Sequence, residues 1–465
     1  MTQPAQPNPP PQPDPRSRPE PQARPSSQPA EAARLGELLR TPGYLKTLMF
    51  CGVVGIPVSL AAFWFLAGLQ ALERLMWVSL PHAAGFDSPP WWWPLPLLLV
   101  SGICVGLIVT RFPGGGGHVP ASGLHPGGTG PAALPGVLLA AVFSLPLGAT
   151  LGPEAPLIAL GGGLAVALRH LTGTPETPMS AALLTAAGSA AAIAAIFGNP
   201  LIAAVLLMEV AGVGGPQLFA VMLPALLSSG IGSLVFTGFG RWTGLPTGDL
   251  KLKPGVEFPR LDVGDVVWTV LMAVVISGAV HLIQHGGRSA ARRVAGRPLL
   301  VTVLCALGAG VCAAAYALGT GLDPADVASS GQNTIGRLVG DPHAWGAGAL
   351  VAVLLCKGAA FSLCLGSLRG GPIFPSLFLG AAAGVLCSPL PGLGVGAGLA
   401  AGMAAATVSA MRLPVSTVVL VVLVLGSTTM MPVAILSTVV AFVTAELLPP
   451  GPPIPPVGRS CRPAH

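Results

Sequence analysis

Charge is what this sequence is shortest of. Among its 465 residues Lys and Arg number 23 and Asp and Glu 17, against roughly 116 charged residues expected of a soluble protein of this length at the usual 25%. That deficit excludes a water-solvated surface. Aromatic residues make up only 5%, with Tyr at 2, so the formal charge of +6 comes without the stacking platform or basic stripe that nucleic acid requires. Cysteines number 8 and never fall in C-x-x-C spacing, so they read as small buried side chains and not as metal or redox sites. What the chain has instead is 52% hydrophobic residues, 63 Gly and 50 Pro. It is a polytopic membrane protein.

Residues 1–32 are rich in Pro, Gln and Ser and hold no apolar run; they read as a disordered tail without a secretory signal. Residues 33–447 form the membrane domain, and 448–465 a short Pro-rich tail. Arg34, Arg40 and Lys46 precede the first apolar stretch, which predicts a cytoplasmic N-terminus, and the cluster Arg288, Arg292, Arg293 and Arg297 is expected on the same side. Uncharged runs such as 112–153 and 370–411 far exceed the ~20 residues that one span needs. Gly and Pro interrupt them, so helices must end inside the bilayer. Bare backbone is tolerated there only when it is buried in protein or lines a watery path.

The two halves, about 45–240 and 264–447, echo each other. GPEAPLIALGGGLAVAL (152–168) is followed by AAIFGNPLIAAVLLMEV (194–210), and GGPIFPSLFLGAAAGVL (370–386) by ATVSAMRLPVSTVVLVVL (406–423). Interrupted helices in matching positions point to a transporter whose site lies between repeats. The offset of the basic flanks suits inverted repeats.

A helix N-terminus carries free N–H groups and about half a positive charge, enough to hold an anion without a cation. Three stretches are expected to open helices in this way: Gly116–Pro120, Gly152–Pro156 and Gly370–Pro375. Glu154, the one acidic residue between Asp87 and Glu176, sits inside the second. An intramembrane carboxylate is costly and marks function; here it would be a tethered anion contending with the permeating one. Its bland alternative is an acid stabilising a helix start.

These residues resemble the CLC family of chloride channels and proton/chloride antiporters over about 45–447. In that family G-S-G-I-P, G-K/R-E-G-P and G-x-F-x-P build the anion sites; this chain has GGHVP (116–120), GPEAP (152–156) and GPIFP (371–375) in the same order. The resemblance implies an all-α fold of two inverted-topology repeats with broken, re-entrant helices, and a homodimer with one pore per subunit. It implies anion ligands at Gly116, Gly117, His118, Val119, Pro153, Glu154, Ala155, Ile373 and Phe374, with Glu154 as gate. Chloride is the implied cargo, with fluoride or nitrate as alternatives, in the plasma (inner) membrane.

The departures are as informative. The family's pore serine falls on Gly117, with His118 beside it as a substitute donor or a packing residue. Pro372 removes an N–H, and no Tyr follows the last span. The family's proton-relaying glutamate falls on Val210, after Glu209. That favours passive or weakly proton-coupled conduction, with Glu209 either a substitute in a proton pathway or a helix cap. Lys357 and Arg369 flank the third stretch and either raise local anion concentration or snorkel. His281 and His285 have helical spacing but no further ligands, so no metal is expected; nor is a cofactor. An intramembrane Ser/His enzyme and a non-transporting scaffold are the remaining classes. No Ser lies in a nucleophile motif, and a scaffold would not need matched helix breaks.

Overall fold

Apolar sequence broken by Pro and Gly dictates the architecture: the uncharged run 370–411 becomes two helices, and 112–153 holds one helix and short 3-10 turns among its described residues. The computed structural model describes residues 40–124, 130–172, 178–212, 216–245 and 262–454. The tail at 1–32 lies outside the described residues, as does the end of the C-terminal tail beyond Ile454.

In the first half the helices are α1 (Pro42–Arg74), α2 (Pro94–Arg111), α3 (Leu134–Ser144), α4 (Glu154–Thr172), α5 (Pro178–Phe197), α6 (Pro200–Ala211) and α7 (Pro216–Thr243). In the second they are α8 (Val263–Gly296), α9 (Pro298–Thr320), α10 (Gln332–Gly340), α11 (Ala347–Ser367), α12 (Ile373–Cys387), α13 (Val395–Met411), α14 (Pro414–Leu425) and α15 (Met431–Leu447). Proline sits in the first turn of most of them, where its missing N–H costs nothing. Asn199 caps α6, its side chain accepting from the Leu201 N–H at 2.8 Å. Eight helical spans among the described residues are long and apolar enough to cross a membrane; α3, α6, α12, α13 and α14 are apolar but too short.

Packing repeats between the halves. α4 packs on α5, α5 on α6 and α7, and α1 on both α5 and α7; likewise α12 packs on α13, α13 on α14 and α15, and α8 on both α13 and α15. The closest crossings repeat too. A Cβ on Gly161 would run into the Gly188 carbonyl, and one on Gly380 into that of Gly402. Small residues let the backbones touch, which is how helices associate where lipid is as apolar as the side chains. The halves join through α6 against α14 and through an antiparallel bridge between Gly152 and Gly371. Two matching segments that meet antiparallel are what an inverted repeat requires. The fold is an all-α membrane architecture of two inverted halves.

Candidate functional site

Two loops, one from each half, create the site. The Gly152 N–H donates to the Gly371 carbonyl at 2.8 Å and the Gly371 N–H donates back to the Gly152 carbonyl at 2.6 Å. From this bridge α4 and α12 depart with their N-termini together.

The first loop is held from the side by 326–329. The Thr150 hydroxyl donates to the Val327 carbonyl at 3.2 Å, and the Ser329 N–H to that of Gly148 at 3.0 Å. Lys357 fixes that support. Its buried ammonium donates to the carbonyls of Asp326, Val327 and Ser329 at 3.0, 3.1 and 3.2 Å and lies 4.9 Å from the Phe378 ring centroid. Arg369 is 2% exposed. Its Nη1 donates to Leu368 O at 3.2 Å and its Nη2 to Gly115 O at 3.1 Å. Neither cation snorkels, and neither faces water to concentrate anions. Both charges tie loops together.

Glu154 is completely buried. Its Oε1 accepts from the Phe374 N–H at 2.9 Å, so the carboxylate from the start of α4 occupies the open N-terminus of α12. Its Oε2 is buried with no hydrogen-bond partner among the described residues. The carboxylate lies flat against backbone because Gly152 and Gly371 have no side chains; a Cβ on either would fall on the carboxyl group. Pro153, Ala155, Ile373 and Phe374 surround it and are buried, and Phe374 stacks on Phe197 with ring centroids 5.8 Å apart.

Two cavities approach this carboxylate. One, lined by Gln70, Glu73, Ser330 and Gln332, reaches Pro153. The other, lined by Ser122, Gln284, Arg288 and Arg412, reaches Pro372. Each ends on the proline beside one of the bridged glycines.

The first of the three expected stretches needs correction. Gly116–Pro120 opens no α-helix: Pro120–Ser122 is one 3-10 turn. Gly114, Gly115, Gly116 and Gly117 all take positive φ, at 73°, 57°, 70° and 94°, so the run makes a tight left-handed turn instead of a helical start. Gly116 and Val119 are buried, Gly117 half-buried, and His118 exposed.

Glu209 sits away from Glu154, at the α6–α14 contact. Its Oε1 accepts from the Val415 N–H at 2.8 Å and its Oε2 from the Ser416 N–H at 2.7 Å and hydroxyl at 2.6 Å. It caps α14 from another helix. His281 and His285 have ring centroids 6.4 Å apart, and no group of three metal-ligating residues occurs among the described residues.

Helix ends from two inverted repeats, meeting at a buried carboxylate between two cavities, define the scaffold of a membrane transporter. The chain belongs to the family whose model is described as the voltage gated chloride channel, which matches residues 123–446. A protein of Salmonella schwarzengrund, named as a candidate ion-transport protein, YfeO, is 28% identical over 345 residues, 72% of this chain and 78% of that one. Its counterpart in Salmonella newport is 27% identical over the same length. Among solved structures, a slow cyanobacterial Cl−/H+ antiporter superposes with a TM-score of 0.71 at 18% identity, covering 86% of this chain and 94% of that one. A CLC-type fluoride/proton antiporter superposes with a TM-score of 0.66 at 19% identity, covering 86% and 95%.

Proposed function

We propose that this protein moves a small inorganic anion, chloride in the first instance, along a path through α4 and α12 that Glu154 closes. The observation that carries the reading is the Glu154 carboxylate accepting from the Phe374 N–H at the start of α12. That N–H belongs to the first helical turn, which has no acceptor within the helix, and it is aligned with the positive end of the dipole, so it favours an anion. In the closed state the occupant is the protein's own carboxyl group. A permeating anion takes the seat when Glu154 is protonated or swings away.

Transport is passive or weakly proton-coupled. Val210 cannot carry a proton, and the three hydrogen bonds that Glu209 accepts hold its charge as a cap. Fluoride and nitrate are the alternative cargoes, because backbone donors discriminate weakly among small anions; strict proton antiport, as in the similar solved structures, is the alternative mechanism. The protein acts as a homodimer with one pore per subunit. The mouth bearing Arg288 and Arg412 faces the cytoplasm, following the basic flanks.

Anion efflux from proteoliposomes, with chloride, fluoride and nitrate tested separately and pH recorded in parallel, tests this reading. Chloride should leave without stoichiometric proton movement and faster at low pH, where a protonated carboxyl no longer competes. Glu154→Gln should remove the pH dependence. Flux of none of the three anions, or chloride-driven uphill proton movement, contradicts the reading as stated.

A further inference from the structure

At the end of the second cavity the backbone accepts a conformation that stability does not explain. Arg412, the C-cap of α13, has φ 60° and ψ 33°, left-handed geometry that L-residues with long side chains avoid. Gly198 takes the equivalent turn in the first half, between α5 and α6, with φ 61°. There GNP (198–200) suffices; here RLP (412–414) places a guanidinium instead. The Arg412 side chain pairs with Glu446, but the two are 33% and 57% exposed, and a pair so open to water contributes little. Strain held without a stabilising return points to function.

Arg412 lines a cavity of about 320 Å³, shared with His281, His285 and Arg288 of α8 and bordered by Pro449–Gly451. Gly451 lies so close that a Cβ on it would meet Arg288 Nη1 at 3.0 Å. Two guanidinium and two imidazole groups thus face one space, against the single carboxylate of Glu446. The Ala445 carbonyl accepts from Arg412 Nη2 at 2.8 Å, which orients the fork. The volume is far larger than a bare halide and lies in the range of small-molecule sites. Planar guanidinium groups match the oxygens of phosphate bidentately, and imidazoles add donors.

We propose that this cavity is a binding site for a phosphate-bearing anion, in which Glu446 holds Arg412 until the ligand displaces it. The site shares Gln284, Arg288 and Arg412 with the cavity that ends at Pro372, so a bound phosphate stands in the approach to Glu154. The proposal concerns binding and does not rest on the protein's cargo.

The test is equilibrium dialysis of the purified full-length protein, in phospholipid-free detergent at constant ionic strength, with radiolabelled inorganic pyrophosphate. Binding should saturate at one per chain, and Arg412→Gln and Arg288→Gln should each weaken it at least about tenfold. Glu446→Gln should tighten it several-fold, a gain that a misfolded variant cannot imitate. Short-chain phosphatidic acid in a second arm names the source. Displacement of pyrophosphate at equal concentration assigns the site to a lipid headgroup, and its absence assigns it to a soluble phosphate; either supports the site. Absence of saturable binding, binding indifferent to Arg412→Gln, or unchanged affinity in Glu446→Gln overturns the proposal.

Discussion

At the residue scale everything turns on what Glu154 can touch. Its carboxylate reaches the α12 N-terminus only because Gly152 and Gly371 leave room for it. Neither has positive φ, so an added methyl meets the carboxyl group and not a forbidden backbone. Gly371→Ala should therefore push the carboxylate out of its seat and raise anion flux at neutral and alkaline pH to the level seen in acid, as measured in proteoliposomes. A variant that folds and keeps the wild-type pH profile would show that the seat is not what sets it. The sign follows from charge: acid neutralises the tethered anion and frees the donor, so flux through the unaltered protein rises as pH falls.

At the element scale, the work is done at helix ends. Glu209 supplies two backbone N–H groups and one hydroxyl at the start of α14 with their acceptor, and Asn199 does the same for one N–H of α6. Removing a cap costs about 0.5–2 kcal/mol. Glu209→Ala should fall at the upper end of that range and Asn199→Ala at the lower, read by thermal unfolding in detergent; equal and negligible shifts would deny both caps. Much at this scale was legible in the sequence. Helix breaks at Gly and Pro depend only on neighbours in the chain, and the match of GPEAP with GPIFP emerges from setting the two halves side by side. The glycine run was misread because four consecutive glycines permit either hand of turn, and only contacts with α2 and α3 decide which. Lys357 was misread for a related reason: the carbonyls that absorb its charge come from a loop about thirty residues earlier in the chain. For Arg412 the sequence does carry a signal, an arginine where the first repeat has glycine.

At the scale of the whole molecule, two interlocking copies of one helical plan set the distance between the helix ends. The Gly161–Gly188 and Gly380–Gly402 crossings hold α4 and α12 each against its own partner, and the Gly152–Gly371 bridge aligns them. Overpacking such a contact costs typically ~1–3 kcal/mol. Gly380→Leu should cost at least that in thermal unfolding and should also move α12 enough to lower anion flux more than Gly230→Leu, at a helix position with open space around it. Equal effects at the two positions would mean that the crossing does not position the site.

The central claim is that one seat, at the Phe374 N–H, is contested by a carboxylate and an anion. It is tested most directly by determining the structure of Glu154→Gln in bromide and locating the halide by anomalous scattering. The account predicts a bromide peak within hydrogen-bonding distance of the Phe374 N–H, with residue 154 turned away. A side chain still seated there, with no halide between α4 and α12, would contradict it.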